Sequence, residues 1–260
     1  MIIRQLGFLI LCFAVFPAAG NPLAGQQGGR EFYELRIYRT FDFEKQQAVE
    51  RYLEQALVPA LKRQSIDRVG VFNRMDDDND HSVYMLIPFP NLALFTGLND
   101  KLAKDTEYQA AAKAHFDRPT KNPVFDRIES RLLRAFRSIP RMELPQETRE
   151  GGPRIFELRI YESHTEKHAA LKVEMFDEGE TQLMRDVKLG PVFFGETLIG
   201  ADVPNLVYML SASDLEAHKK HWQSFLNSEG WNRMKKLDRY KGAVSKIKNY
   251  FLKPTSFSDL

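Results

Sequence analysis

The chain has 260 residues, of which 43% are hydrophobic and 28% are charged, with 37 lysines and arginines against 35 aspartates and glutamates. These proportions are those of a globular protein, and they exclude a disordered chain, a collagen-like fibre and a coiled coil. The formal net charge of +2 excludes a strongly basic surface, so we expect no nucleic-acid partner.

The first 20 residues have the composition of a secretory signal peptide. Arg4 precedes an apolar run over residues 6–16, which is followed by Pro17 and small residues up to Gly20. A spanning helix needs about 20 apolar residues, more than this run provides. We predict cleavage after Gly20 and a periplasmic or secreted protein with no stable membrane span, the alternative being a retained membrane anchor. The single cysteine, Cys12, lies in this segment, so the exported chain would contain no disulfide.

Beyond the signal segment, the spacing of hydrophobic residues alternates between the two-residue period of strands and the 3.6-residue period of helices. The predicted elements are a strand over residues 33–38, a helix over 44–64, strands over 67–74 and 82–88, a helix over 92–115 and a strand over 125–136. The order β-α-β-β-α-β is the ferredoxin-like arrangement, in which two helices cover one face of an antiparallel sheet. The fold class is therefore α+β.

The same pattern occurs twice. Residues 32–38, FYELRIY, recur as IFELRIY at 155–161, a shift of 123 positions, and Val83-Tyr84-Met85-Leu86 matches Val207-Tyr208-Met209-Leu210. Between the copies, prolines and a glycine pair cannot sustain a helix or a central strand. We predict an N-terminal domain over 31–138, a linker over 139–153 and a C-terminal domain over 154–253.

The repeated strand motif resembles the first strand of NIPSNAP-family domains. The aromatic pattern of Trp222, Phe225 and Trp231 resembles the second helix of that family, and the N-terminal copy has Asn99 and Tyr108 in place of the tryptophans. The resemblance covers nearly the whole exported chain as two tandem domains. It implies the dimeric α+β barrel superfamily, in which two ferredoxin-like sheets face each other around a cavity, here paired within one chain. We call the segment with Trp222, Phe225 and Trp231 the tryptophan helix. If a pocket depends on this helix, we expect it only in the C-terminal copy.

Strand alternation places six polar residues on one face. If Leu35 and Ile37 face the helices, these polar residues converge in the barrel interior. They are Glu34, Arg36, Tyr38, Glu157, Arg159 and Tyr161. As a ligand site, the arginines would hold an anionic or carbonyl-bearing molecule, with a glutamate as proton acceptor and the tyrosines as donors. The preferred alternative is an ion-pair network that fixes the register of the two sheets, because paired charges need no substrate.

Two pairs of histidines have spacings that could hold a metal ion: His164 with His168, and His218 with His221. Two ligands do not make a site, so we predict solvated helix faces and no metal site. The acidic run over residues 76–80 lacks the rest of a calcium-binding loop and is interpreted as a hairpin turn. The aromatic residues of the tryptophan helix are interpreted as core packing.

These observations predict a small-molecule or protein-binding module of unassigned activity that uses the cavity between the two sheets. The alternative is a cofactor-independent monooxygenase or isomerase that uses Glu34, Arg36, Glu157 and Arg159. We assign no catalytic residue and expect no cofactor. The expected partner is a small molecule or a protein, and assembly into a homo-oligomer stays open. A filled barrel interior would favour the protein-binding alternative, whereas a cavity of about 300 Å³ or more with inward polar groups would favour a ligand site.

Overall fold

The computed structural model describes residues 29–260. The predicted signal peptide over residues 1–20, with Cys12, lies outside the described residues. Within residues 29–260, no helix is both long enough and apolar enough to cross a membrane.

The first half of the chain contains strands and helices in the order that the sequence predicts. Its elements are β1 Phe32–Arg39, α1 Phe43–Tyr52, a π-helical turn Leu53–Leu57, α2 Val58–Arg63, β2 Gly70–Arg74, β3 Val83–Phe89, α3 Leu92–Lys104, α4 Thr106–Phe116 and β4 Arg127–Ala135. Both predicted helices are divided. The π-helical turn interrupts the first, and the second restarts at Asp105, whose carboxylate accepts a hydrogen bond from the Tyr108 backbone N–H.

The second half repeats this order. Its elements are β5 Ile155–Glu162, α6 Glu166–Met175, a π-helical turn Phe176–Glu180, α7 Thr181–Asp186, β6 Pro191–Ile199, β7 Asn205–Ala212, α8 Leu215–Asn227, α9 Glu229–Met234, a 3₁₀ turn Asp238–Tyr240 and β8 Lys246–Pro254. The helix caps recur as well, since Asn91 caps α3 and Asp214, 123 positions later, caps α8.

The segment between the two halves contains a short helix, α5 Gln146–Glu150. The prediction that residues 139–153 hold no helix is therefore wrong. The helix follows directly after Pro145, whose fixed φ is compatible with a helix start, and it ends at Gly151, whose φ of 68° is the left-handed conformation that glycine adopts freely.

Eight antiparallel strands close into one barrel in the order β1-β3-β2-β8-β5-β7-β6-β4. The two halves of the chain meet at two seams. At one, Asn73 of β2 pairs with Lys253 of β8, and at the other, Ala135 of β4 pairs with Gly195 of β6. The prediction of an α+β fold with a barrel sheet is confirmed.

The barrel interior is filled with apolar side chains. Leu35 and Ile37 of β1, with Leu158 of β5, pack there beside Phe72 and Phe156, whose ring centroids are 4.9 Å apart. Closing the barrel presses the apolar strand faces of both halves together and removes them from water. The expected cavity between the sheets is occupied by these side chains.

The predicted orientation of the six polar residues is therefore wrong. Glu34, Arg36, Tyr38, Glu157, Arg159 and Tyr161 lie on the outer face of the barrel, under the helices. Tyr38 packs with the helices of the first half and Tyr161 with those of the second, so the six residues do not converge. The strand period was identified correctly, but the face that it assigned to the interior was inverted.

The sequence match of residues 83–86 with residues 207–210 is one residue out of register with the pairing in the sheet. In the sheet, Met85 lies opposite Arg36 and Tyr208 lies opposite Arg159, so Met85 and not Tyr84 is the counterpart of Tyr208. A shift of one residue moves a side chain to the other face of a strand. Accordingly, Tyr84 is in the barrel interior, whereas Tyr208 is under the helices.

Candidate functional site

In the first half, Arg36 forms the centre of a polar cluster on β1. Its Nε and Nη2 atoms donate hydrogen bonds to the two carboxylate oxygens of Glu34, each at 2.9 Å, and Nη1 donates to the Tyr38 hydroxyl at 3.3 Å. Ser130 donates to the same carboxylate at 2.7 Å. A guanidinium has five N–H bonds, so two of those on Arg36 have no acceptor within residues 29–260.

This cluster lies at the base of a cavity between the sheet and the helices, which we call the N-terminal pocket. The pocket has a volume of ≈ 470 Å³ and is lined by Arg36 and Tyr38 of β1, by residues of α1, the first π-helical turn, α3 and α4, and by residues between 118 and 128. Pockets for small ligands have volumes of about 300 to 1,000 Å³. Among its described lining residues, the charged side chains are Arg36 and Arg118, and the remainder are mainly apolar and aromatic.

An aromatic stack forms one wall of the pocket. The His115 ring lies parallel to Tyr52, with centroids 3.9 Å apart, and 6.0 Å from the Phe125 centroid. Within the described chain, neither ring nitrogen of His115 has a hydrogen-bond partner. Burial, together with the charge of Arg118, lowers the pKa of His115. The imidazole is therefore neutral near pH 7 and has a nitrogen free to accept a proton.

In the second half, the corresponding strand positions form a cluster with more internal hydrogen bonds. Arg159 pairs with Glu157 and donates to the Tyr161 hydroxyl at 3.2 Å. The Glu157 carboxylate also lies 2.8 Å from His218 Nε2 and accepts a hydrogen bond from Trp222 Nε1 at 2.9 Å. Burial opposes ionisation of Glu157, but His218 and Arg159 outweigh it and lower the pKa of this carboxyl group.

The indole of Trp222 covers the cluster in the second half. The Arg159 guanidinium carbon lies 4.7 Å from the centroid of the indole ring, within the range of a cation–π contact. Phe225 is buried beneath the helix, with Trp222 and Trp231 packed against the same apolar cluster. The prediction that these aromatic residues form core packing is confirmed, and Trp222 in addition binds the Glu157 carboxylate.

Residues 156–259 match the NIPSNAP family model. This match covers the C-terminal half of the chain. The predicted NIPSNAP relationship is thus confirmed for the segment from β5 to β8, which contains Glu157, Arg159, Tyr161 and Trp222. A comparison with curated proteins found no match.

Some of the similar solved structures match most of this chain, and others match less than half of it. A Lactobacillus acidophilus protein whose proposed activity is that of a monooxygenase is 10% identical, with a TM-score of 0.57 over 86% of this chain and 94% of its own. A Fusobacterium nucleatum protein with the same proposed activity is 8% identical, with a TM-score of 0.52 over 87% and 93%. An uncharacterised NIPSNAP-like protein of Burkholderia xenovorans is 24% identical over 40% of this chain and 88% of its own, with a TM-score of 0.37. At these identities, the first two comparisons establish a shared fold.

The N-terminal pocket lies in the half of the chain that precedes the match to the NIPSNAP family model, whereas a pocket was expected only in the C-terminal copy. Asn99 lines the pocket, whereas Trp222, at the corresponding helix position, covers Arg159. The short amide leaves open the space that the indole fills. Sequence analysis identified the substitution at position 99 but took it as the loss of a pocket, and it did not identify Tyr52 as a pocket residue.

The histidine pairs do not form metal sites. His164 precedes α6, which begins after the cap residue Thr165, so His164 and His168 do not share a helical face. His218 is buried against Glu157, and the prediction that it lies on a solvated helix face is wrong for this residue. Within residues 29–260, no group of three or more histidine, cysteine, aspartate or glutamate side chains could hold a metal ion.

Proposed function

We propose that this protein binds a small organic anion with an apolar body in the N-terminal pocket. The observation that carries the proposal is a positively charged Arg36 at the base of a ligand-sized cavity, where Arg118 is the other charged side chain among the described lining residues. Tyr38 and Glu34 raise the pKa of Arg36 despite its burial, so the guanidinium stays charged. A cavity with apolar walls and a fixed cation favours a carboxylate or an enolate attached to a ring or chain.

Arg36 is held in place before any ligand arrives. Glu34 binds both Nε and Nη2, and Ser130 in turn binds Glu34, so the guanidinium plane is fixed by contacts outside the pocket. A side chain that is already ordered loses little conformational entropy on binding. This arrangement supports small-molecule binding at a site under the helices and not between the sheets.

The proposal includes the organisation of the chain and its location. The two halves, residues 31–138 and 154–253, are copies of one ferredoxin-like unit joined through residues 139–153, and the protein is exported after cleavage behind Gly20. The constant offset of 123 positions between caps, π-helical turns and the first strands supports the duplication. The composition of residues 1–20 supports export.

Titration calorimetry with 2-naphthoate and its neutral amide tests the binding function. We expect the wild type to prefer the carboxylate, because Arg36 and Arg118 both line the pocket, and Arg36→Gln to bind it at least about tenfold more weakly, since losing a contact to a charged group costs about 1.5–3 kcal/mol. Because Arg36→Gln alone leaves the Glu34 carboxylate without its cation, the double variant Glu34→Gln/Arg36→Gln serves as a second test. It should bind 2-naphthoate as weakly as Arg36→Gln does.

Arg159→Gln is the matched control, because Trp222 covers Arg159 and this arginine does not line the N-terminal pocket. It should bind 2-naphthoate as the wild type does. Equal affinities for Arg36→Gln and Arg159→Gln, in folded proteins, would show that the proposed site is wrong.

Proton transfer is a second candidate function, favoured by the neutral His115 in the pocket wall. Its imidazole could remove a proton from a carbon next to a ligand carbonyl and return it to the enolate, as an isomerase does. Glu157 is less suited to this role than His115, because its pKa is lowered and its oxygens are occupied by hydrogen bonds.

Deuterium exchange at the benzylic carbon of phenylpyruvate, followed by NMR in D₂O, tests this role. The wild type should accelerate exchange. In His115→Phe, which keeps an aromatic ring on Tyr52, the exchange rate should be about a hundredfold lower and binding should be retained. The rate should rise with pH through the lowered pKa of His115 and then level off. Unchanged exchange in His115→Phe would exclude His115 as the base.

A further inference from the structure

We propose that the ligand of the N-terminal pocket is a planar aromatic ring system that stacks on Arg36 as the Trp222 indole stacks on Arg159. This inference rests on the proposed function and names the chemical class of the ligand. The second half of the chain serves as the template, because it contains the same polar cluster with an aromatic group already bound to it.

Position 99 corresponds to position 222 in the fold as well as in the sequence. Asn99 lies eight residues after the cap Asn91 in a helix of 13 residues, and Trp222 lies eight residues after the cap Asp214 in a helix of 13 residues. Both caps accept a hydrogen bond from the backbone N–H three residues later. The two side chains therefore leave their helices at the same place and in the same direction relative to the cap.

The strands beneath the two helices also correspond. In each half the glutamate and arginine of the first strand pair, and the arginine donates to the tyrosine hydroxyl, at 3.3 Å from Arg36 and 3.2 Å from Arg159. On the neighbouring last strand, the residue opposite the arginine is Ser130 in one half and Asn249 in the other, and each donates to the glutamate.

The halves differ in what covers the arginine. In the second half the indole lies over the guanidinium of Arg159 at 4.7 Å and uses its N–H on Glu157. In the first half Asn99 has no ring, and the space above Arg36 belongs to the pocket. A guanidinium attracts the face of an aromatic ring, and a planar ligand would restore the contact that Asn99 cannot make. With the ring over Arg36, Arg118 in the same pocket is the cation for its anionic substituent.

Three variants and two acids test this inference by calorimetry. The acids are 2-naphthoate and trans-decalin-2-carboxylate, which has the same charge and a saturated ring system of similar size. We expect the wild type to bind one naphthoate and to bind the decalin acid about tenfold more weakly. Asn99→Trp should lose naphthoate binding by at least tenfold, because its indole covers Arg36. Asp100→Trp, with the same bulk at the neighbouring exposed position, should bind as the wild type does.

Trp222→Asn is expected to open the second site and to raise the stoichiometry to two naphthoates per chain. If this variant does not fold, the comparison of Asn99→Trp with Asp100→Trp decides the question. Equal affinity of the wild type for the two acids, or full naphthoate binding by folded Asn99→Trp, would overturn this inference. The proposed function would still hold in that case if Arg36→Gln bound naphthoate more weakly than the wild type. Failure of the wild type to bind either acid would overturn both.

Discussion

Glu34 and Glu157 occupy the same place in their strands but have different surroundings. Glu34 is bound by Arg36 and Ser130, whereas Glu157 is in contact with Arg159, His218 and Trp222. The additional partners in the second half come from α8, so Glu157 ties that helix to the sheet. A buried carboxylate that joins two elements in this way contributes to stability through its charge.

Replacing Glu157 should change both the stability and its pH dependence. The folded-state pKa of this carboxyl group lies below its ordinary value of 4.5, so its contribution is complete above that pH and is lost as the pH falls through the folded-state pKa. Glu157→Gln leaves Arg159 without its anion and should lower the free energy of unfolding at pH 7 by about 3 kcal/mol.

Urea denaturation at pH 7 and pH 4 measures this effect. The wild type should lose more stability between the two pH values than Glu157→Gln does, because the variant has no carboxylate to protonate. Glu216→Gln, at an exposed position of α8, serves as control and should behave as the wild type. An identical pH dependence in Glu157→Gln and the wild type would contradict this assignment.

At the scale of the elements, the sequence period predicted the order of strands and helices but not which strand face turns inward. The alternation of Leu35 and Ile37 with Glu34 and Arg36 is the same whichever face is covered by helices. The choice is made by closure of the barrel, which depends on contacts between residues more than 100 positions apart, such as Phe72 with Phe156. The six residues therefore share the strand face that the period predicts, but that face lies under the helices, and of the six Arg36 and Tyr38 line the N-terminal pocket.

The π-helical turns are a second feature that no local pattern predicted. In the first half, the Val58 backbone N–H donates to the Leu53 carbonyl, five residues back. Residues five positions apart consequently share a face there, whereas they diverge in an α-helix. Tyr52 and Leu57 both line the N-terminal pocket as a result. The wall of the pocket thus depends on a local change of helix type.

For the whole molecule, closure of the barrel makes each half dependent on the other. Four of the eight strands belong to each half, and the apolar interior surface of one half is covered by that of the other. Separated halves would expose both that surface and the unpaired edges of two strands each, β2 with β4 and β6 with β8.

Expression of residues 29–138 and 139–260 as separate chains tests this dependence. The N-terminal fragment alone should not be a folded monomer, and co-expression should give a 1:1 complex because the two seams can re-form. Light scattering after size-exclusion chromatography gives the stoichiometry, and circular dichroism gives the folded state. A monomeric and cooperatively folded N-terminal fragment would contradict the prediction.

The position of Trp222 also determines how this protein can be observed. The chain has two tryptophans, Trp222 and Trp231, and both lie in the second half. Intrinsic indole emission therefore reports the surroundings of the second half, and the first half, with its pocket, contributes no indole signal of its own. Indole emission of the wild type detects unfolding of the first half only through the seams that join it to the second, and Asn99→Trp would place a third fluorophore above Arg36.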